Sequence, residues 1–308
     1  MPKRVLLTGS TGMVGQNLLE NPDFLENDIT TPLRDDLDLL DADAVESFIQ
    51  ETKPEVVVHV AGRVGGIAAN LANQASFLFE NLSMGMNLMR ACADLEHVQF
   101  LNLASSCVYP REAENPLRED LLFTGPLEPT NEGYALAKLA VLRMGEFLDD
   151  KNPGFRCVSL LPCNLYGRWD HFEPERSHLI AAIVCKLHDA KLRGLEEVDI
   201  WGDGTVRREF MFASDLADFL VLALREFEDL PPRVNVGCGQ DHSVNEYYEA
   251  VRDVVGYSGR FTHDLSRPVG MRQKLVDIEA QSLLGWKPST SLNEGIANTY
   301  KFFLEHNG

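Results

Sequence analysis

Thr8-Gly9-Ser10-Thr11-Gly12-Met13-Val14-Gly15 follows the apolar run Arg4–Thr8 and opens a helical stretch reaching about Glu20. Glycines at 9, 12 and 15, set between a strand and a helix, read as a dinucleotide-binding turn. The first allows the tight turn, the second lets backbone approach a pyrophosphate, and the third lets the helix pack closely. Ser10, Thr11, Met13 and Val14 complete the turn, and the helix N-terminus offers N–H groups and positive dipole to phosphates. Apolar or β-branched runs recur at 56–60, 99–103 and 157–161, the last closing on Pro162. Helical patterns alternate with them at 42–50, 74–93 and 133–148. This alternation predicts an α/β fold: a Rossmann-type doubly wound parallel sheet, with ligands at the carboxyl ends of its strands.

Past Pro162 the texture changes. Loops carry Tyr166-Gly-Arg-Trp169, Phe172-Glu-Pro174 and Trp201-Gly-Asp-Gly204, and helical patterns stand near 178–188, 215–224, 244–255 and 292–304. The expected organisation is a dinucleotide-binding domain over residues 1–162, with returning segments near 205–237. A smaller C-terminal, mainly substrate-binding portion then covers 163–308. No internal repeat or low-complexity linker separates the two.

A chain of 308 residues can bury a substantial core. No window approaches the ~18 apolar residues of a membrane span. The N-terminus runs directly into a strand without an apolar signal region, so a cytoplasmic protein with no membrane partner is expected. The six cysteines, at 92, 107, 157, 163, 185 and 238, lack paired spacing and read mostly as reduced core residues. No CxxC or HxxxH pattern supports a metal site. A formal charge of −19 argues against a nucleic-acid partner. An anionic ligand would need a local basic cluster. Arg207-Arg208, Arg272 and Lys274 supply one, with Arg168, Arg176 and Lys186 as further members.

A proton-handling group follows the glycine turn. Tyr134 and Lys138 share one helical face in Tyr134-Ala-Leu-Ala-Lys138. A lysine charge is expected to lower a nearby phenol from its ordinary value of ~10. Tyr134 then delivers a proton to a carbonyl oxygen, Ser105 at the end of the 99–103 strand holds that oxygen, and Lys138 bonds the nicotinamide ribose. Cys107 is a further acid/base candidate that simple hydride transfer does not need. For the cofactor, an acid about twenty residues past the turn suits a ribose 2′-hydroxyl and an arginine suits a 2′-phosphate. Arg34-Asp35-Asp36 offers both, and the arginine fork tips the reading toward NADP(H).

With these residues the chain resembles the extended short-chain dehydrogenase/reductases and, within them, the GDP-L-fucose synthase group of 3,5-epimerase/4-reductases. Matching stretches run through nearly the whole chain: Val64-Gly-Gly-Ile67, Ala104-Ser-Ser-Cys-Val-Tyr-Pro110, Glu128-Pro-Thr-Asn-Glu132, Asn164-Leu-Tyr-Gly167, Ser177-His178, Trp201-Gly-Asp-Gly204, Arg208-Glu-Phe210 and Lys274-Leu-Val-Asp277. Taken alone, Cys107 reads as a buried thiol and His178 as a helix N-terminal residue. The resemblance makes Cys107 the base and His178 the acid that invert C3 and C5 beside a C4 ketone, which hydride from NADPH then reduces. It also implies Asn164 and His178 at the cofactor. Lys186, Trp201, Arg208 and Lys274 fall at the GDP-sugar, with Arg208 and Lys274 pairing with its diphosphate. A homodimer through the helices over 74–93 and 133–148 is implied as well. Thr11 and Lys186 stand where arginines are common in the group. The Arg168-Trp169-Asp170-His171 stretch leaves the sugar open, the alternatives being a colitose or heptose precursor or C4 reduction only. A binding protein that has lost the chemistry is disfavoured by the intact Ser105, Tyr134 and Lys138.

Overall fold

The computed structural model describes residues 2–173, 177–266 and 270–307, so Arg176 lies outside the described residues. The first half runs β1 (Arg4–Thr8), α1 (Met13–Leu19), β2 (Asp28–Thr30), α2 (Ala42–Thr52), β3 (Val56–His59), α3 (Ile67–Ala72), α4 (Gln74–Cys92), β4 (Val98–Leu103), α5 (Glu132–Lys151) and β5 (Phe155–Pro162). Next come β6 (Asn164–Tyr166), α6 (Leu179–Leu192), β7 (Glu197–Trp201), β8 (Arg207–Arg208), β9 (Phe210–Phe212), α7 (Ala213–Arg225) and β10 (Arg233–Val236). The chain closes with β11 (His242–Ser243), α8 (Val244–Val255), β12 (Arg260–Asp264), β13 (Gln273–Lys274), α9 (Glu279–Leu283) and α10 (Leu292–Asn307).

The main sheet has the order β10-β5-β4-β3-β1-β2 with every pairing parallel. From β1 the chain goes first to β2 on one side and then to β3 on the other. The strand order therefore reverses between β1 and β3, the place where open α/β sheets bind ligands. Side chains alternate across the sheet because strand residues point to opposite faces. Val5 and Leu7 join Leu18, Leu216 and Phe219 under α1 and α7, while Leu6 joins Val57, Phe100, Ile49 and Leu88 under α2 and α4. Each such side chain contributes about 1.5–3 kcal/mol on full burial.

The later helices build a separate core from Tyr166, Ile180, Val184, Phe210, Tyr247, Val251 and Phe303. α8 shows why they are helices. Ser243 and Glu246 form a reciprocal capping box, residues 244, 247, 248, 251 and 255 are buried, and Gly256 ends the helix at φ +72°. Of the 205–237 stretch, β10 pairs with β5 in the main sheet, whereas β9 pairs with β6. β7 pairs in parallel with β12, and β8 lies between β11 and β13. Among the described residues no helix is long and apolar enough to cross a membrane.

Candidate active site

A cleft of about 810 Å³ opens where β1, β3, β4 and β5 end. Gly9 has φ +78°, and a Cβ there would come within 2.6 Å of the Ala61 backbone. At Gly15 a Cβ would lie 2.3 Å from the Gly9 carbonyl oxygen, so Gly9 is fixed by the segment after β3 and Gly15 by contacts inside the turn. Gly12 caps α1, and a Cβ there would meet only the Gly9 oxygen, at 3.5 Å. The outer side of the turn is thus open to the cleft, as a pyrophosphate cradle requires. Ser10, Thr11, Met13, Val14 and Asn164 line the same cleft, with Arg34 exposed at its lip. Asp36 accepts from the Leu33 N–H at 3.1 Å, and among the described residues no ion pair joins Arg34 to Asp35 or Asp36.

Ser105, Cys107, Tyr134, Lys138 and His178 line the other part of the cleft. Ser105 leaves β4 in extended conformation, caps the short 3₁₀ turn Ser106–Val108 by accepting from the Cys107 N–H at 3.1 Å, and bonds the Tyr134 side chain. Lys274 comes from β13, 167 positions away in the chain, and donates from Nζ to Cys107 Sγ at 3.2 Å. Burial opposes ionisation of Cys107. The Lys274 charge and hydrogen bonds from Ser105, Lys274 and Asn131 outweigh it, leaving the thiol below its ordinary value.

His178 caps α6, with Nδ1 3.4 Å from Asp170 Oδ1. Burial disfavours its protonated form. The hydrogen bond and charge of Asp170, together with Cys107, prevail and raise it above the ordinary value, while Lys274 acts in the opposite sense. The Asp170 carboxylate is almost wholly buried, with side-chain exposure of 2%, and also accepts from the His171 N–H at 2.8 Å.

The expected activation of Tyr134 by Lys138 is corrected here. Burial, reinforced by Cys107, pushes the Tyr134 phenol up, and the Ser105 hydrogen bond only partly opposes it. Lys138 Nζ lies 5.9 Å from the centre of the tyrosine ring and donates to the Leu103 carbonyl at 2.8 Å. Burial lowers this lysine to about 8. Desolvation dominates at the phenol, and Lys138, turned to the Leu103 carbonyl, is not among the groups that shift it.

The four residues expected at the GDP-sugar separate. Arg208 adjoins the Cys107 region and is lowered by burial, with Cys107 and Glu128 acting against that shift. Lys274 sits on Cys107. Lys186 instead pairs with Asp199 Oδ1 at 2.8 Å, because the side chains of α6 and β7 face each other there. Trp201 ends β7 with 54% exposure. None of the four lines the cleft itself; Arg208 and Lys274 adjoin it through Cys107.

Sequence reasoning missed the parts played by Asp170, Asn131 and His59. His59 ends β3, holds Thr8 Oγ1 at 2.8 Å, and is lowered to about 3 by burial and then by Lys138, so it stays neutral. Asp170 and Asn131 both lie in stretches quoted for other reasons. A carboxylate eight positions before a candidate acid histidine was the available signal.

An open glycine cradle at the switch point of a parallel sheet, with serine, tyrosine and lysine beside it, defines a dinucleotide-dependent oxidoreductase or epimerase site. The chain belongs to the NAD dependent epimerase/dehydratase family, whose model matches residues 5–237. It is 49% identical to a GDP-L-fucose synthase of Azorhizobium caulinodans, over 99% of this chain and 97% of that one. It is 44% identical to a GDP-L-colitose synthase of Yersinia pseudotuberculosis, over 98% of each chain. Among solved structures it resembles a GDP-mannoheptose C4 reductase from Campylobacter jejuni with NADP bound, with TM-score 0.87, 32% identity and 98% coverage of both chains.

Proposed function

We propose that this chain is an NADP-dependent epimerase/reductase converting GDP-4-keto-6-deoxy-D-mannose to GDP-L-fucose. One observation carries the reading: Cys107 and His178, in opposite electrostatic surroundings, share a cleft with Ser105 and Tyr134. Reduction of a ketone has no use for this second acid/base pair, whereas inversion at carbon requires a base and an acid on opposite ring faces. The 49% identical fucose synthase and the NADP-bound C4 reductase support the substrate class and the cofactor.

A C4 ketone acidifies the hydrogens at C3 and C5. Cys107, as thiolate, takes a proton from carbon while the C–H electron pair passes toward the C4 oxygen. Ser105 and Tyr134 hydrogen-bond that oxygen, and His178 returns a proton to the other face. Each such general acid or base is worth about 10²–10⁴-fold. The open glycine cradle would hold NADPH, which when bound would supply a hydride for C4. Tyr134, kept protonated by burial, gives its proton to the C4 oxygen. Arg34 would hold the 2′-phosphate of NADPH and Asn164 would support the cofactor, since both line the cleft. Arg208, Trp201 and Lys186 serve the GDP moiety, for which Asp199 must release Lys186. A homodimer through α4 and α5 and a cytoplasmic setting, with all six cysteines as free thiols, complete the proposal.

The test is incubation with GDP-4-keto-6-deoxy-D-mannose and NADPH in heavy water, followed by absorbance and product NMR. Expected are cofactor oxidation and a fucose product carrying deuterium at C3 and C5. Oxidation without deuterium would leave a C4 reductase only. No oxidation would point to another GDP-4-keto sugar, such as the colitose or heptose precursors.

A further inference from the structure

We propose that Lys274 is the positioning residue of Cys107, holding its sulfur as the thiolate. The inference deepens the epimerase reading and rests on it for the use to which the thiolate is put. Three observations support it. Lys274 is 8% exposed, its Nζ reaches Cys107 Sγ at 3.2 Å, and no carboxylate among the described residues takes its charge. Its strand is fixed from both sides. The Arg207 N–H donates to the Arg272 carbonyl at 2.9 Å and the Glu209 N–H to the Lys274 carbonyl at 3.2 Å, so β13 is tied to β8 around the lysine. The Leu275 N–H donates to Asn115 Oδ1 at 2.8 Å, and the Leu117 N–H to the Leu275 carbonyl at 2.8 Å. Backbone pairing on each side therefore fixes the strand from which the ammonium reaches the thiol.

The chemistry asks for such a partner. A thiol in a closed site is held neutral by desolvation, and a fixed cation within contact distance reverses that. Around Cys107 stand Ser105 from the end of β4, Asn131 and Tyr134 at the start of α5, His178 at the start of α6, Arg208 on β8 and Lys274 on β13. Of these, Lys274 combines a permanent charge with a bond to the sulfur. When Cys107 takes a proton from carbon, the S–H bond forms, the C–H pair becomes the carbon–carbon double bond of the enolate, and the carbonyl π pair moves onto the C4 oxygen.

The experiment is the pH profile of iodoacetamide alkylation at the peptide bearing Cys107, read by mass spectrometry on the full chain. The parent should alkylate with a midpoint below the ordinary thiol value of about 8.5. Lys274→Met should move that midpoint upward by about 1–3 pH units, and Lys274→Arg should keep it low. A Lys274→Met profile coincident with the parent's would overturn the proposal. Should Lys274→Met fail to fold, the thiolate absorbance of the parent minus that of Cys107→Ser decides. A difference at neutral pH supports a held thiolate, and no difference overturns it. Deuterium exchange into the sugar, run in parallel, separates the two ideas. A low midpoint without exchange would sink the epimerase reading and leave Lys274 in place. Exchange with an unmoved midpoint would sink Lys274 alone.

Discussion

Asp170 and Lys274 give the two proton carriers opposite partners. A cation on Cys107 favours its deprotonated form, and a carboxylate on His178 favours its protonated form. Epimerisation through this pair should show a bell-shaped pH profile, with the acid limb set by Cys107 and the alkaline limb by His178. The groups facing His178 are Asp170, Cys107 and Lys274. Replacing Asp170 with Asn removes the charge that raises the imidazole, so burial then dominates. The alkaline limb should fall by about 1–3 pH units, while reduction of a substrate already epimerised keeps its rate. Solvent-exchange rates measured across pH check this, and an unmoved limb would remove Asp170 from the mechanism. Ser105, Tyr134 and Lys138 were legible in short local patterns of the sequence, and the roles of Cys107 and His178 only through the resemblance; the fold brings all five to one cleft. The partner of Cys107 was not legible, since 167 positions separate it from Lys274 and only the sheet connections bring them together.

The same contrast holds for elements. β1, β4 and β5 announce themselves by apolar runs because both faces are buried. β2 has three residues, two of them exposed, and β8 and β13 have two residues each, too few for any period to register. What positions β8 and β13 is Glu209, a fully buried carboxylate between β8 and β9. It accepts from the Cys238 and Gly239 N–H groups at 2.6 and 2.8 Å and from the Val276 N–H at 2.9 Å, tying the exit of β10 to the exit of β13. Burial raises Glu209 to about 7, against those three stabilising bonds. The folded chain keeps this proton above the ordinary glutamate value of about 4.3. Its contribution is therefore fully present at lower pH and is lost as pH rises through about 7. Glu209→Gln should remove that slope and turn one accepted bond into a donor facing a backbone donor, at a cost of about 1–3 kcal/mol. Thermal unfolding measured between pH 5 and 8 reads both effects. An equally stable variant with the parental slope would refute this assignment.

At the scale of the whole molecule, the unexplained surface lies on the helix pair α4 and α5. Phe79 is 65% exposed on α4, and Leu136 and Phe147 are 42% and 58% exposed on α5. Leu136 and Phe147 are eleven residues apart, three helical turns, so they share one stripe. Arg143 lies between them with its guanidinium 5.8 Å from the Phe147 ring centre. Apolar side chains gathered on one helical surface mark an interface, and the inner sides of both helices are already spent on the sheet. A second copy of the chain is the partner we propose. A two-fold arrangement sets each patch against its own counterpart, so every residue contributes twice. One buried phenylalanine is worth about 1.5–3 kcal/mol, hence about 3–6 kcal/mol per dimer for Phe79. Phe79→Asp should leave the fold of each chain intact, because the ring is exposed within a single chain, yet shift the assembly to monomer. Sedimentation at micromolar concentration should give twice the chain mass for the parent and the single chain mass for the variant. A parent that sediments as a monomer would refute the dimer. A variant that stays dimeric would place the interface away from Phe79.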